Sequence, residues 1–191
     1  MKNKIESRKE EIIRVATKLF KEKGYSAVTM RDIAKSMGIK AASLYNHINS
    51  KQDILKTIII SLAEQFTAGM LEIKSSGESC VNKLKAIIKL HVTLSSQNIY
   101  GMSSLNNDWM HLEEQMPYYI KLRSEYEDDF KNILEQGIGK GELINVKPDV
   151  MMFSILTTLR SLYLWIPKKE DIDLHDLTEN LSQILLDGIN K

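Results

Sequence analysis

Between Lys40 and Asn49 the sequence reads KAASLYNHIN, and four of its side chains, Lys40, Ser43, Asn46 and His47, can exchange hydrogen bonds with a polar partner. Wound as a helix at about 100° per residue, the stretch gathers Leu44, Ile48, Ala41 and Tyr45 in one arc. Ala42, Asn46, Ser43, His47 and Lys40 take the other side. A face of small and hydrogen-bonding residues suits the edges of base pairs. Ala42 and Ser43 would let a helix backbone approach a major groove closely, while Lys40, Ser43 and Asn46 could reach donors and acceptors on the bases. Periodicity alone leaves a second reading open, a packed helical hairpin whose polar face is merely solvated.

Other reactive residue types lack the spacing that catalysis or metal binding needs. The histidines His47, His91, His111 and His175 form no H-E-x-x-H element, and HLEE at His111–Glu114 has no second histidine in register. The carboxylates of EDD at Glu127–Asp129 and around Glu170 read as solvated faces, and no glycine-rich phosphate loop follows a strand. We therefore expect no enzyme, no catalytic residue, no metal and no cofactor. The single cysteine, Cys80, excludes an internal disulfide framework and reads as a buried apolar thiol, in keeping with a reducing cytoplasm. Arg160 is more informative, because a guanidinium within an apolar helix needs an anion, either an internal carboxylate or a charged ligand group. His91, on an apolar face, is either a satisfied core histidine or a ligand contact.

The elements that must position these residues are helical throughout. Ile12, Ala16 and Leu19, with Ile13 and Phe20, form the apolar side of a first helix that Gly24 stops. Thr29 with Asp32 three residues on predicts the N-cap of a second helix, carrying Ile33, Ala34 and Met37, and Gly38 is placed to end it at positive φ. A third helix begins at about Lys40. Ser50 with Asp53 caps a longer one whose buried stripe is Leu55, Ile58, Ile59, Leu62 and Phe66. Beyond a turn at Lys74–Ser79, Leu84, Ile87, His91 and Leu94 share a face. The segment around NNDWMHLEEQMP reads as irregular or short-helical, and a helix then runs through Tyr119, Leu122, Tyr126, Phe130 and Ile133. One helix is expected from Pro148 to Ile166, ended by Pro167, and a last one over Leu174–Ile189 with a seam at Leu174, Leu177, Leu181 and Ile184.

Composition agrees with a globular chain, 43% hydrophobic and 27% charged over 191 residues. The net charge of +1 hides an asymmetry: residues 1–56 hold thirteen Lys and Arg against six Asp and Glu, and the remainder holds thirteen against nineteen. A basic N-terminal part on an acidic body points to a polyanion at one end. The N-terminal stretch alternates charged and apolar residues without the apolar run of a secretory leader, and Val150–Ile166 is interrupted by Arg160, so a buried helix is expected there and no membrane span.

One stretch decides between the two readings of the polar face. GYSAVTMRDIAKSMGIKAASLYNHINSKQDIL resembles the signature of the TetR family of bacterial transcriptional regulators. The resemblance covers about residues 8–56 and rests on a glycine-aromatic pair, a Thr capping the second helix, IA within it, a Tyr-x-His element and a Ser-Lys pair before an apolar helix. Lys40 and Ala42 depart from the hydroxyl residue and Gly of many relatives, and Ile48 from the usual Phe, which bears on the operator sequence. The resemblance implies phosphate contacts from Thr29, Tyr45, His47 and Lys51, with Lys40, Ala41, Ala42, Ser43 and Asn46 facing bases.

It implies an all-α fold too: a three-helix helix-turn-helix domain at 1–50, then a helical effector-binding and dimerisation domain at 51–191. The partners expected are a double-stranded DNA operator, a small-molecule effector and a second copy of the chain, without a membrane. LNNDWMHLEEQMPYYIKLRSEYEDDFKNILEQGIGKGEL and LYLWIP are similar to the subgroup that senses acyl-CoA thioesters. An acyl-CoA is the first effector candidate, and a planar aromatic or drug-like compound the alternative. Candidate pocket residues are His91, Leu94, Trp109, Met110, Tyr126, Met152, Leu156 and Arg160. The two C-terminal helices carry apolar surface without evident cover, so Phe153, Leu164, Trp165, Leu177, Leu181 and Ile184 are expected to pair across a two-fold axis. A constitutive architectural DNA binder remains the rival to an effector-released repressor.

Overall fold

The computed structural model describes residues 6–187, and among these there is no strand. The helices are α1 (Arg8–Lys23), α2 (Met30–Ser36), α3 (Ala41–Leu44), α4 (Lys51–Ser75), α5 (Cys80–Gln97), α6 (Ile99–Asn107), α7 (Met116–Gly139), α8 (Pro148–Arg160), α9 (Leu162–Trp165) and α10 (Leu174–Asp187). Single 3-10 turns occupy Trp109–His111, Glu113–Gln115 and Ile166–Lys168. The fold is all-α, with an N-terminal helix-turn-helix as the sequence predicts. Helix α6 escaped the sequence reading, since IYGMSSLNN mixes glycine, serine and asparagine without a clear apolar period.

The chain forms two compact units. The first runs to Leu62 and takes in Tyr100–Tyr119; the second comprises Ala63–Ile99 and the residues from Ile120 onward. Side chains at the start of α4 and in the 100–119 stretch interlock with the loop after α1.

In the first unit, helix ends have local causes. Ser7 and Glu10 form a reciprocal capping box that starts α1, and Ile12, Ala16, Leu19 and Phe20 are its buried side. Thr29 and Asp32 form a second box at the start of α2. At its other end, Gly38 takes φ +67°. Its N–H bonds to the Lys35 carbonyl at 3.1 Å, and the Ile39 N–H bonds to Ala34 at 3.0 Å, a pair of bonds that closes the helix and reverses the chain. A side chain at this φ would be strained, so the sharp turn into α3 depends on glycine.

The third helix is shorter than expected. Regular α-helix stops at Leu44, yet the Ile48 N–H still bonds to the Leu44 carbonyl at 3.0 Å, so the next turn continues the same direction. Leu44 (0% exposed) and Ile48 (4%) anchor both turns in the core.

In the second unit α5 is central, with α8, α9 and α10 packed on it. Leu84, Ile87, Ile88 and Val92 of α5 are buried. Gly69 lets α4 lie close to α5: a Cβ there would fall 2.7 Å from Leu90 Cδ2.

The helix expected over 148–166 is broken at Ser161. Its hydroxyl donates to the Thr157 carbonyl at 2.8 Å, and Thr158 does the same to Ser154 at 3.3 Å, back-bonds that loosen and bend a helix. Pro148 occupies its first turn as the sequence implies, and Pro167 lies in the closing 3-10 turn. Helix α10 begins at Leu174 as expected, and its forecast end at Ile189 lies outside the described residues. Residues 51–75 and 148–168 are each long and apolar enough to cross a bilayer. The first nevertheless carries Glu64 and Glu72 on its exposed face, and Arg160 interrupts the second, charges that are costly in hydrocarbon.

Candidate nucleic-acid interface and effector cluster

Lys40, Ala42, Ser43, Tyr45, Asn46 and His47 are all exposed, and Ala41 is half-buried at the edge of the same face. Of the five residues expected to face bases, the structure leaves Lys40, Ala42, Ser43 and Asn46 exposed, while Ala41 turns partly toward the apolar side with Leu44. Tyr45, placed by the helical wheel at the edge of the buried arc, is 53% exposed.

Lys51 and Tyr25 hold together the loop between α1 and α2. The Lys51 ammonium donates to the backbone carbonyls of Tyr25 at 2.9 Å and Val28 at 2.8 Å, and lies 4.2 Å from the centre of the Tyr25 ring. The Tyr25 hydroxyl donates to Gln52 Oε1 at 2.7 Å, and Gln52 Nε2 donates to the His111 carbonyl at 2.6 Å. The His111 ring stacks on Tyr25 with centroids 5.2 Å apart. Burial, aided by the charges of Glu113 and Asp108, pushes the Tyr25 phenol up to about 12, so it remains a donor at neutral pH.

Two expected phosphate contacts therefore have internal duties. Lys51 directs its ammonium at two carbonyls. The Thr29 hydroxyl donates to Asp32 Oδ2 at 2.6 Å while accepting from the Asp32 N–H, and this hydroxyl together with the Thr29 N–H, 2.9 Å from the same oxygen, holds the Asp32 carboxyl below its ordinary range. Tyr45 and His47 keep their polar atoms at the surface. His47 and Asn49 line a cleft of about 350 Å³ with Lys9 of α1 and with Asp53 and Lys56 of α4, two cations against one carboxylate. The sequence reading missed Lys9 and Lys56. Only the meeting of two distant helices reveals them, since neither belongs to the motif.

In the second unit His91, Leu94, Tyr126 and Leu156 are buried, and Met152 and Arg160 half-buried. His91 Nε2 and the Tyr126 hydroxyl are 2.8 Å apart, and Phe66 packs its ring 4.6 Å from that of His91. Burial, reinforced by the nearby Arg160 charge, lowers the His91 pKa to about 3, so the imidazole is neutral. Burial also pushes the Tyr126 phenol well above its usual range. Arg160 finds its anion inside the protein: Glu127 accepts from it at 2.6 Å and from Arg123 at 3.1 Å. Burial works to raise the Glu127 carboxyl, but these two guanidiniums outweigh it and hold the carboxyl below its ordinary value.

Trp109 and Met110 do not join this cluster. Both belong to the first unit, where Trp109 packs 5.8 Å from Tyr119 and Met110 is 57% exposed, because the 3-10 turn at Trp109–His111 aims its His111 end at Tyr25. Cys80 is buried as expected, and burial raises its thiol pKa.

The α10 helix is turned inside out by ordinary standards. Thr178 (9% exposed), Ser182 (2%) and Leu186 (1%) face inward, while Leu174 (41%) and Ile184 (74%) face out and Leu177 and Leu181 are half-buried. On the preceding helices Phe153 (71%), Leu164 (49%) and Trp165 (44%) are also exposed. Together these side chains leave an apolar surface that the chain itself does not cover.

Known proteins share this organisation. The family described as bacterial regulatory proteins, tetR family, matches residues 12–58, and the tetracyclin repressor-like C-terminal domain matches residues 77–189. The HTH-type transcriptional repressor KstR2 of Rhodococcus jostii is 25% identical over 185 residues, 95% of this chain and 91% of its own. The biofilm operon negative regulator IcaR of Staphylococcus aureus is 29% identical over 66% of this chain and 77% of its own. The structure of the ketosteroid transcriptional regulator KstR2 of Mycobacterium tuberculosis superposes with a TM-score of 0.91 at 22% identity, covering 98% of this chain and 97% of that one.

The buried neutral histidine makes stability pH-dependent. The folded His91 pKa of about 3 lies below the ordinary 6.5, so the unfolded chain binds the proton more readily. The contribution is therefore complete above pH ~6.5 and is lost as the pH falls towards 3. Between pH 7 and 5 the unfolding free energy should drop by about 2 kcal/mol from this group alone. Denaturant unfolding across that range checks it, with His91→Gln expected to lack this component.

Proposed function

The chain belongs to the TetR family of bacterial regulatory proteins and is a DNA-binding transcriptional regulator, and from that premise we propose that it is a repressor released from a palindromic operator by a small effector. The carrying observation is the exposed face of α3 and its following turn, presented by a basic N-terminal segment. Asn46, Ser43 and Lys40 read base edges, and Ala41 and Ala42 allow the close approach. Tyr45 and His47 contact phosphates, with Lys9 and Lys56 adding charge beside His47, while Thr29 and Lys51 hold the turn that presents them. Repression is supported by the named roles of KstR2 and IcaR. The protein works in the cytoplasm, as a binding protein and not as an enzyme.

Residues 1–50 read DNA, and residues 51–191 bind the effector and a second copy of the chain. The exposed apolar faces of α8, α9 and α10 support a homodimer through Phe153, Leu164, Trp165, Leu177, Leu181 and Ile184, two helices from each protomer making a four-helix bundle. The effector enters the helical domain near His91, Leu94, Tyr126, Met152 and Leu156, and an acyl-CoA is the first candidate. Release requires the effector to bind more tightly to a dimer whose reading heads no longer match successive major grooves.

Selection of duplexes by the purified protein should return a palindrome. Asn46→Ala should then lose ~1–3 kcal/mol and relax preference at one position per half-site. Equal affinity for selected and random duplexes would defeat the reading. Leu181→Asp should sediment as a monomer with much weaker operator binding, because the charge would be buried in the bundle. In titrations with an acyl-CoA chain-length series, operator affinity should fall by about 5–150-fold, and operator should weaken effector binding by the same factor. No response at any chain length removes acyl-CoA as the effector.

A further inference from the structure

His91 and Ser95 stand one helical turn apart on α5, so both side chains leave the same face of that helix. His91 is 3% exposed and Ser95 0%. Among the described residues, His91 Nδ1 and Ser95 Oγ have no hydrogen-bond partner. Two such atoms in one buried place have given up hydration without return, which native interiors rarely tolerate unless something else occupies the site.

The identity of the missing group follows from counting protons. Among the described residues the Tyr126 hydroxyl has a single partner, His91 Nε2 at 2.8 Å. Were Nε2 the donor, the buried phenolic proton would have no acceptor. The phenol therefore donates, Nε2 accepts, and the one imidazole proton resides on Nδ1. Nδ1–H and the Ser95 hydroxyl are then two buried donors on one face of α5, each without an acceptor among the described residues. A carboxylate would find no free counter-ion in Arg160, whose charge acts on His91 but which is already bonded to Glu127 at 2.6 Å. The surroundings are apolar: Phe66 lies against the imidazole, and Leu94 and Leu156 are buried in the same unit.

We propose that His91 and Ser95 form a seat for an uncharged carbonyl oxygen of the effector, such as that of a ketone, ester, thioester or amide carried on an otherwise apolar body. This rests on the effector reading above and narrows it. The buried end of the ligand is neutral and accepts two hydrogen bonds, and any charged portion stays outside the seat.

The probe is 2-octanone, compared with 2-methyl-1-octene, in which a methylene group replaces the carbonyl oxygen on a comparable chain, and with octanoate. Binding is measured by calorimetry on the full chain, and the carbonyl stretch of carbonyl-13C ketone is followed by infrared spectroscopy. Ser95→Ala should weaken 2-octanone by about tenfold, leave the alkene unchanged and raise the carbonyl frequency of the bound ketone. Because the Ser95 hydroxyl is unpartnered in the free protein, the same variant should keep or slightly raise the melting temperature. A purely structural serine would lower it. Failure of 2-octanone to bind, equal loss for ketone and alkene, or octanoate binding as tightly as the ketone would each overturn the seat. Operator binding is read in the same titrations. A seated ketone that leaves DNA bound supports the seat and counts against the effector reading, whereas DNA release by an acyl-CoA indifferent to Ser95→Ala overturns the seat alone.

Discussion

The ammonium of Lys51 is the fastening on which the reading head depends. A loop that turns from α1 into α2 exposes carbonyls that no helix bond satisfies, and two of them, on Tyr25 and Val28, converge on this one cation. The Tyr25 ring supplies a third favourable contact to the same charge. With the loop fixed, α2 starts at the Thr29 box, and Gly38 then sets the angle at which α3 leaves. The exposed polar face of α3 thus depends, through α2, on a charge that fastens the preceding loop. This explains why a lysine at the first position of α4 serves the fold before it serves any phosphate.

The two units handle charge in opposite ways. The first concentrates cations at its surface, where a polyanion can displace counterions. The second contains its polar groups: a neutral imidazole, a protonated phenol and a guanidinium matched by Glu127. A ligand that enters such an environment is selected by hydrogen-bond geometry and apolar area, since the local charges already satisfy one another. DNA and any ligand of the second unit would therefore address different physics in one chain.

Helix existence and facing were legible because they follow from period and cap chemistry. Ile12, Ala16, Leu19 and Phe20, or Leu84, Ile87, His91 and Leu94, could be placed by spacing alone, and Thr29, Gly38 and Ser50 announced their caps. The recognition face was legible because an amphipathic surface helix leaves its function on the side its apolar residues do not use. The break at Ser161 was not, since it arises from hydroxyls bonding back to carbonyls within an apolar run. Met110 was misplaced because bulk and apolarity say nothing about direction in a 3-10 turn. The internal duties of Thr29 and Lys51 were invisible for another reason: a cation or hydroxyl at a motif position looks alike whether its partner is a phosphate or the backbone. Arg160 was legible only as a question, and Glu127, thirty-three residues away, supplies the answer.

The discontinuous make-up of the first unit bears on how the chain is born. Tyr25 and Gln52 obtain their remaining partner from His111, fifty-nine residues beyond Gln52. A ribosome adding about 5–20 residues per second leaves the N-terminal helices waiting roughly 3–12 s for that partner. Until then the Gln52 amide lacks the His111 carbonyl, and the Tyr25 ring has only Phe20 and Lys51 against it. The helix-turn-helix emerges first, and the unit that contains it is completed only once more than half of the chain has been made.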